Sequence, residues 1–146
     1  MRIERITNGI VLDHIVAGVG IDILNLFPKD LLKTKVDYAS FVESPSMGQK
    51  DIIKIENLDV ASDVLTKMAI LSPNMTIAII RDGGVHQKFK PEIPEVVEGV
   101  LTCKNPKCVT RHEPYLTTRF FLSLEEKGLM GQCAYCEHLF QVKSTF

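Results

Sequence analysis

Four cysteines stand in the last third of the chain as Cys103-Lys-Asn-Pro-Lys-Cys108 and Cys133-Ala-Tyr-Cys136, two close-set pairs with 24 residues between them. One short turn can present two sulfurs to a single ion, and two such turns complete the tetrahedral shell that zinc(II) prefers. One structural zinc per chain is the expectation. A closed shell of four thiolates leaves no position for water or substrate, so such a metal staples the chain and does not act as a Lewis acid. Two disulfides could draw on the same residues in a secreted protein, and a lone Cys-x-x-Cys could be a redox pair. Pairing, spacing and the lack of a fifth cysteine favour the metal.

The segment Met1-Arg-Ile-Glu-Arg-Ile6 has no apolar core of signal-peptide length, and no stretch approaches the roughly 20 apolar residues that span a bilayer. The expected setting is cytoplasmic, where thiols stay reduced, with no membrane partner. Net charge is −1 over 146 residues: eleven basic against thirteen acidic side chains before residue 96, six against five after it. Neither half is the basic surface that a phosphate backbone demands, so nucleic acid is not an expected partner.

A change of composition at Lys90-Pro-Glu-Ile-Pro-Glu-Val-Val-Glu-Gly99 marks a short stiff connector, because prolines interrupt both helix and ladder. It separates a domain at 1–94 from one at 95–146, the smaller needing metal support. Upstream, Gly9 to Val16 reads as a strand and Gly18 to Phe27 as a helix stopped by Pro28, with Val19, Ile23, Leu26 and Phe27 on one stripe. Lys33 to Val42 is β-prone, 43–48 is loop-like, and Lys50 to Glu56 is the return strand. A second helix runs from a cap at Asp59 or Ser62 to Ser72-Pro73, with Val64, Leu65, Met68 and Leu71 inward. Thr76 to Arg81 turns at Asp82-Gly-Gly84 and returns through Lys90.

The order strand, helix, strand, strand, helix, strand is that of an α+β, ferredoxin-like βαββαβ sandwich, followed here by a small all-β zinc-ribbon-like domain. Two helices cover one sheet face only. Alternation puts Ile53 and Ile55 against the helices and Ile52 and Lys54 on the other side; Val11 and Asp13 project together, with His14 opposite them. An apolar floor flanked by ammonium groups and a carboxylate suits a nucleotide, although a solvated or dimer-forming sheet face has the same make-up. No phosphate-binding glycine loop occurs, so phosphate recognition would rest on side chains such as Lys54 and Lys88. In the smaller domain Val100, Phe120, Leu122, Leu139, Phe140 and Val142 are the expected core. The rival class, a zinc hydrolase or thiol oxidoreductase, is disfavoured because the cysteines saturate the metal and His112 and His138 read as surface residues.

Taken together, Ile6-Thr-Asn-Gly-Ile-Val-Leu-Asp-His-Ile15, Met47-Gly-Gln-Lys-Asp-Ile-Ile-Lys-Ile-Glu-Asn57, Lys90-Pro-Glu-Ile-Pro94 and the cysteine block resemble the regulatory chain of prokaryotic aspartate carbamoyltransferase over nearly the whole length. The resemblance implies a non-catalytic subunit of pyrimidine biosynthesis. Its N-terminal domain would bind CTP, ATP and UTP as allosteric effectors, its zinc domain would grip the catalytic chain, and regulatory dimers would bridge catalytic trimers. Family contacts to nucleotide fall on Asp13, His14, Lys54 and Lys88, with Ile6, Val11, Ile52 and Val85 shaping the pocket and Lys50 a further phosphate contact. Asn105, Tyr135 and Glu137 fall at the partner interface. Ala78 and Gly83 depart from the pattern, standing where the family commonly has asparagine and tyrosine. The alternative reading is a zinc-ribbon adaptor of another assembly without a nucleotide response.

Overall fold

The computed structural model describes residues 6–58 and 62–142. The chain divides into two compact units, with the boundary between Glu92 and Ile93. In the first, β1 (Gly9–Val16), α1 (Gly20–Leu24), β2 (Val36–Ser44), β3 (Gly48–Glu56), α2 (Ser62–Leu71), β4 (Thr76–Arg81) and β5 (Gly84–Phe89) follow one another. The strands form one antiparallel sheet in the order β2-β3-β1-β4-β5. This is the ferredoxin-like sandwich with an added edge strand, β5.

Alternating side chains give the sheet its buried side: Ile10, Leu12, Ile53, Ile55 and Ile77 meet Ile23, Phe27, Val64 and Met68 in one apolar core. Val19, Leu26, Leu65 and Leu71 pack on it half-buried. The first helix is shorter than its apolar stripe, because after Leu24 the chain tightens into a turn and a 3-10 turn at Lys29–Leu32 follows Pro28. Strand β2 starts three residues later than expected and runs on to Ser44, since β3 extends back to Gly48 and pairs with it. The expected cap at Asp59 lies outside the described residues.

Asp51 belongs to the same buried row as Ile53 and Ile55 and is fully buried. Its Oδ2 accepts hydrogen bonds from the Gly18 N–H (3.1 Å), the Gly20 N–H (2.9 Å) and the Tyr38 hydroxyl (2.7 Å). Its Oδ1 accepts from the Ser40 hydroxyl (3.0 Å) and the Phe41 N–H (2.9 Å). One carboxylate thus ties the start of α1 to a bulge in β2 where Phe41 has φ +56°. Gly20 is required at this junction, because a Cβ there would stand 2.5 Å from the Tyr38 ring and 2.8 Å from the Asp51 carboxylate.

The second unit has β6 (Val96–Glu98), α3 (Val109–His112), β7 (Arg119–Glu125), β8 (Gly128–Cys133) and β9 (Leu139–Gln141), with the strands in sequential antiparallel order. Within the connector, Val96–Glu98 pairs with β7 once the prolines are past. Val97, Leu101, Phe120, Leu122, Leu129, Phe140 and Val142 make the core, with Phe120 edge-on to Phe140 at 5.6 Å. Leu139 is not part of it: it pairs with Gln132 on the outer face and is 59 % exposed. Val100 is only half-buried. No helix among the described residues is long and apolar enough to cross a membrane.

Candidate functional site

In the second unit the four cysteines converge, each with its own local reason. The first turn is shaped by Asn105, whose carbonyl accepts from the Cys108 N–H (3.0 Å) and whose Oδ1 accepts from the Lys107 N–H (3.1 Å). Helix α3 follows at once, held to the turn by Arg111 Nη1 donating to the Cys103 carbonyl (2.8 Å). The second turn closes as the Glu137 N–H reaches the Cys133 carbonyl (2.8 Å), with Glu137 at φ +63°.

All four Sγ atoms lie within 4.8 Å of one another, and Cys103–Cys136 and Cys108–Cys133 are 3.6 and 3.7 Å apart. A tetrahedral ion with metal–sulfur bonds of about 2.3 Å sets sulfurs about 3.8 Å apart, whereas a disulfide requires about 2.05 Å. The donor set therefore fits a metal, and the cysteines are not paired with each other. Burial pushes the Cys103 thiol up to about 12 and raises that of Cys133. At Cys136 burial is outweighed by hydrogen bonds from the His138 N–H and the Asn105 side chain and by the neighbouring Cys103 and Cys108, which bring it to about 7. A bound dication would supply the charge that lets four thiolates sit together.

The residues assigned to the partner interface lie on these turns. Glu137 is exposed, and Tyr135, 45 % exposed, donates its hydroxyl to the Thr117 carbonyl (2.9 Å). Asn105 is half-buried, its side chain engaged inside the metal turn.

In the first unit the open sheet face carries a cross-strand row, Asp37, Lys54, Val11, Ala78 and Lys88, read from β2 to β5. Two lysines flank an apolar floor of Val11 and Ala78, three strand spacings or about 14 Å apart at the backbone. A concavity of about 150 Å³ beside this row is lined by Ile6, Val11, Lys54, Ile80, Gly83 and Val85. A second, of about 390 Å³, is lined by His14, Ser46, Met47, Asn74, Thr76 and Lys90.

The side expected for His14 is corrected. A bulge between Leu12 and Ile15 places His14 at φ +55°, so the strand spends two consecutive residues, Asp13 and His14, away from the core before Ile15 returns to it. His14 Nδ1 is 3.1 Å from the Thr76 hydroxyl, and Lys50 Nζ is 3.0 Å from Asp13 Oδ1. Of the residues singled out in sequence, Ile6, Val11, Lys54 and Val85 share the first concavity and His14 lies in the second. Asp13, Lys50, Ile52 and Lys88 line neither. Ile80 was missed, although its two-residue spacing from Ala78 puts it on the open face; Asn74 and Ser46 carried no periodic signal, since loops deliver them.

A ferredoxin-like sandwich with an open face, joined to a unit whose four cysteines converge in a cluster that fits a metal, defines a two-part protein. Two family models match it in series: the aspartate carbamoyltransferase regulatory chain, allosteric domain, over residues 1–92, and the metal binding domain of the same chain over residues 95–145. Relatives named aspartate carbamoyltransferase regulatory chain are 40 % identical in Pyrococcus abyssi, over 94 % of this chain and 90 % of the relative. The Methanocaldococcus jannaschii relative is also 40 % identical, with the same coverage, and the Archaeoglobus fulgidus one 39 %, over 92 % and 89 %. The chain belongs to the family of aspartate carbamoyltransferase regulatory chains, which are non-catalytic subunits.

Proposed function

We propose that this chain is a cytoplasmic subunit that binds nucleoside triphosphates on the open sheet face of an N-terminal domain, residues 1–94. Through a zinc domain, residues 95–146, it holds the catalytic chain of aspartate carbamoyltransferase. The observation that carries the nucleotide half is the row in which Lys54 and Lys88 flank Val11 and Ala78, beside a concavity walled by Ile6, Ile80 and Val85. A base needs an apolar slot and phosphates need cations, and one row supplies both. Asp13 holds the Lys50 ammonium in place, while His14, a bulge away, adds a ring N–H donor for a phosphate.

Zinc(II) is the ion proposed for the cysteine site, because four soft thiolates at tetrahedral separations suit a metal with no directional demand of its own. Regulatory dimers bridging catalytic trimers complete the reading. CTP, ATP and UTP change the poise of such an assembly only so far as each binds its two states unequally.

Calorimetry of the three nucleotides on the assembled complex, alongside aspartate saturation curves, tests the effector half; silence toward all three would remove it. Lys54→Ala and Lys88→Ala are each expected to weaken triphosphate binding about 10- to 100-fold, the worth of one charged hydrogen bond. Coexpression with the catalytic chain, followed by mass determination with and without a chelator, tests the docking half. A chain that purifies alone or with unrelated proteins would instead fit an adaptor.

A further inference from the structure

Beside the cysteines, a side chain that is not a ligand lies against sulfur. The Thr110 hydroxyl, on the first turn of α3, is 3.1 Å from Cys108 Sγ. Four thiolates around a dication leave two excess negative charges, and a hydroxyl against one of the sulfurs spreads that charge and fixes the sulfur in position.

Resting on the metal reading above, we infer that Thr110 is a positioning residue that governs how fast this chain releases its metal. Residues around a metal's ligands are worth about 10- to 100-fold in metal affinity. The hydroxyl is its active group.

The test uses the full chain loaded with one equivalent of zinc(II), transferring it to an excess of a chromophoric chelator, and the cobalt(II)-loaded chain read by its sulfur-to-metal absorption. Thr110→Val is expected to release zinc about tenfold faster and shift the cobalt band, while Thr110→Ser stays near the native rate. Circular dichroism of the loaded variants checks that each remains folded. A Thr110→Val chain with native release and an unmoved band would overturn the inference for Thr110, as would a serine variant as fast as the valine one. A native chain that takes up no stoichiometric metal would sink the metal reading itself, before any variant is compared.

Discussion

A Cys133→Ser chain should lose the fold of its C-terminal unit outright while the N-terminal unit stays intact. Cys133 is fully buried at the end of β8, and its carbonyl and N–H both fasten the second cysteine turn. The unit's apolar core consists of few side chains, with one edge-on aromatic pair at its centre. A segment of roughly 50 residues buries too little to repay its chain entropy. Structural zinc contributes about 10–16 kcal/mol to the folding of comparable small units, as much as the whole stability of an ordinary domain, so removing one ligand costs more than the core can supply. Proton–nitrogen spectra should show collapse of the resonances of residues 95–142 only, with metal content falling well below one equivalent and co-purification with the catalytic chain lost. Stripping the native chain with a chelator or a mercurial should give the same spectrum. Retained dispersion in a metal-free chain would show that the staple is dispensable.

The second large effect is expected at Asp51. Replacing it with alanine removes the shared acceptor of two hydroxyls and three backbone N–H groups, the Gly20 N–H buried and the others part-buried, and each buried donor left unsatisfied costs about 1–3 kcal/mol. Asp51→Ala should therefore destabilise the N-terminal unit by about 3 kcal/mol or more, enough to unfold a domain of modest stability. Denaturant melts of the metal-loaded chain measure it. The native chain should also weaken in acid. Burial pushes the Asp51 carboxyl up, but hydrogen bonds from Phe41, Tyr38, Gly20 and Gly18 outweigh it and hold the group below its ordinary value. The folded form therefore binds the proton less readily than the unfolded one, and the stabilisation is complete above the unfolded carboxyl's range near pH 4 and drains away as pH falls through the folded value. Asp51→Asn, which cannot titrate, should be weaker at neutral pH and lack that acid slope. Equal slopes in the two chains would show that other groups carry the acid dependence.

Much of this was legible in the residues because periodicity is a direct image of packing. The run 50–56 alternates so cleanly that its buried and open faces could be told apart, and the cysteine spacing states the coordination geometry almost in full. Where legibility failed, backbone irregularity was the reason. The bulge at His14 inserts an extra residue and reverses the alternation, and nothing in Leu-Asp-His-Ile announces it. The early end of α1 follows from the turn that carries the chain toward Pro28, although Leu26 and Phe27 keep a helical spacing and still pack on the core. Asp51 was readable in principle, since it stands two residues before Ile53 on the buried face. Its five partners come from two other stretches of chain and could not be read from β3 alone.

Strand β5 is fastened along one margin, by β4, and Gly84 through Lys88 are all exposed, whereas β3, which bears Lys54, is stitched on both sides. A ligand that gripped both lysines would therefore clamp an exposed edge strand to one paired on both sides. It would brace a loose hem more than fill a hole.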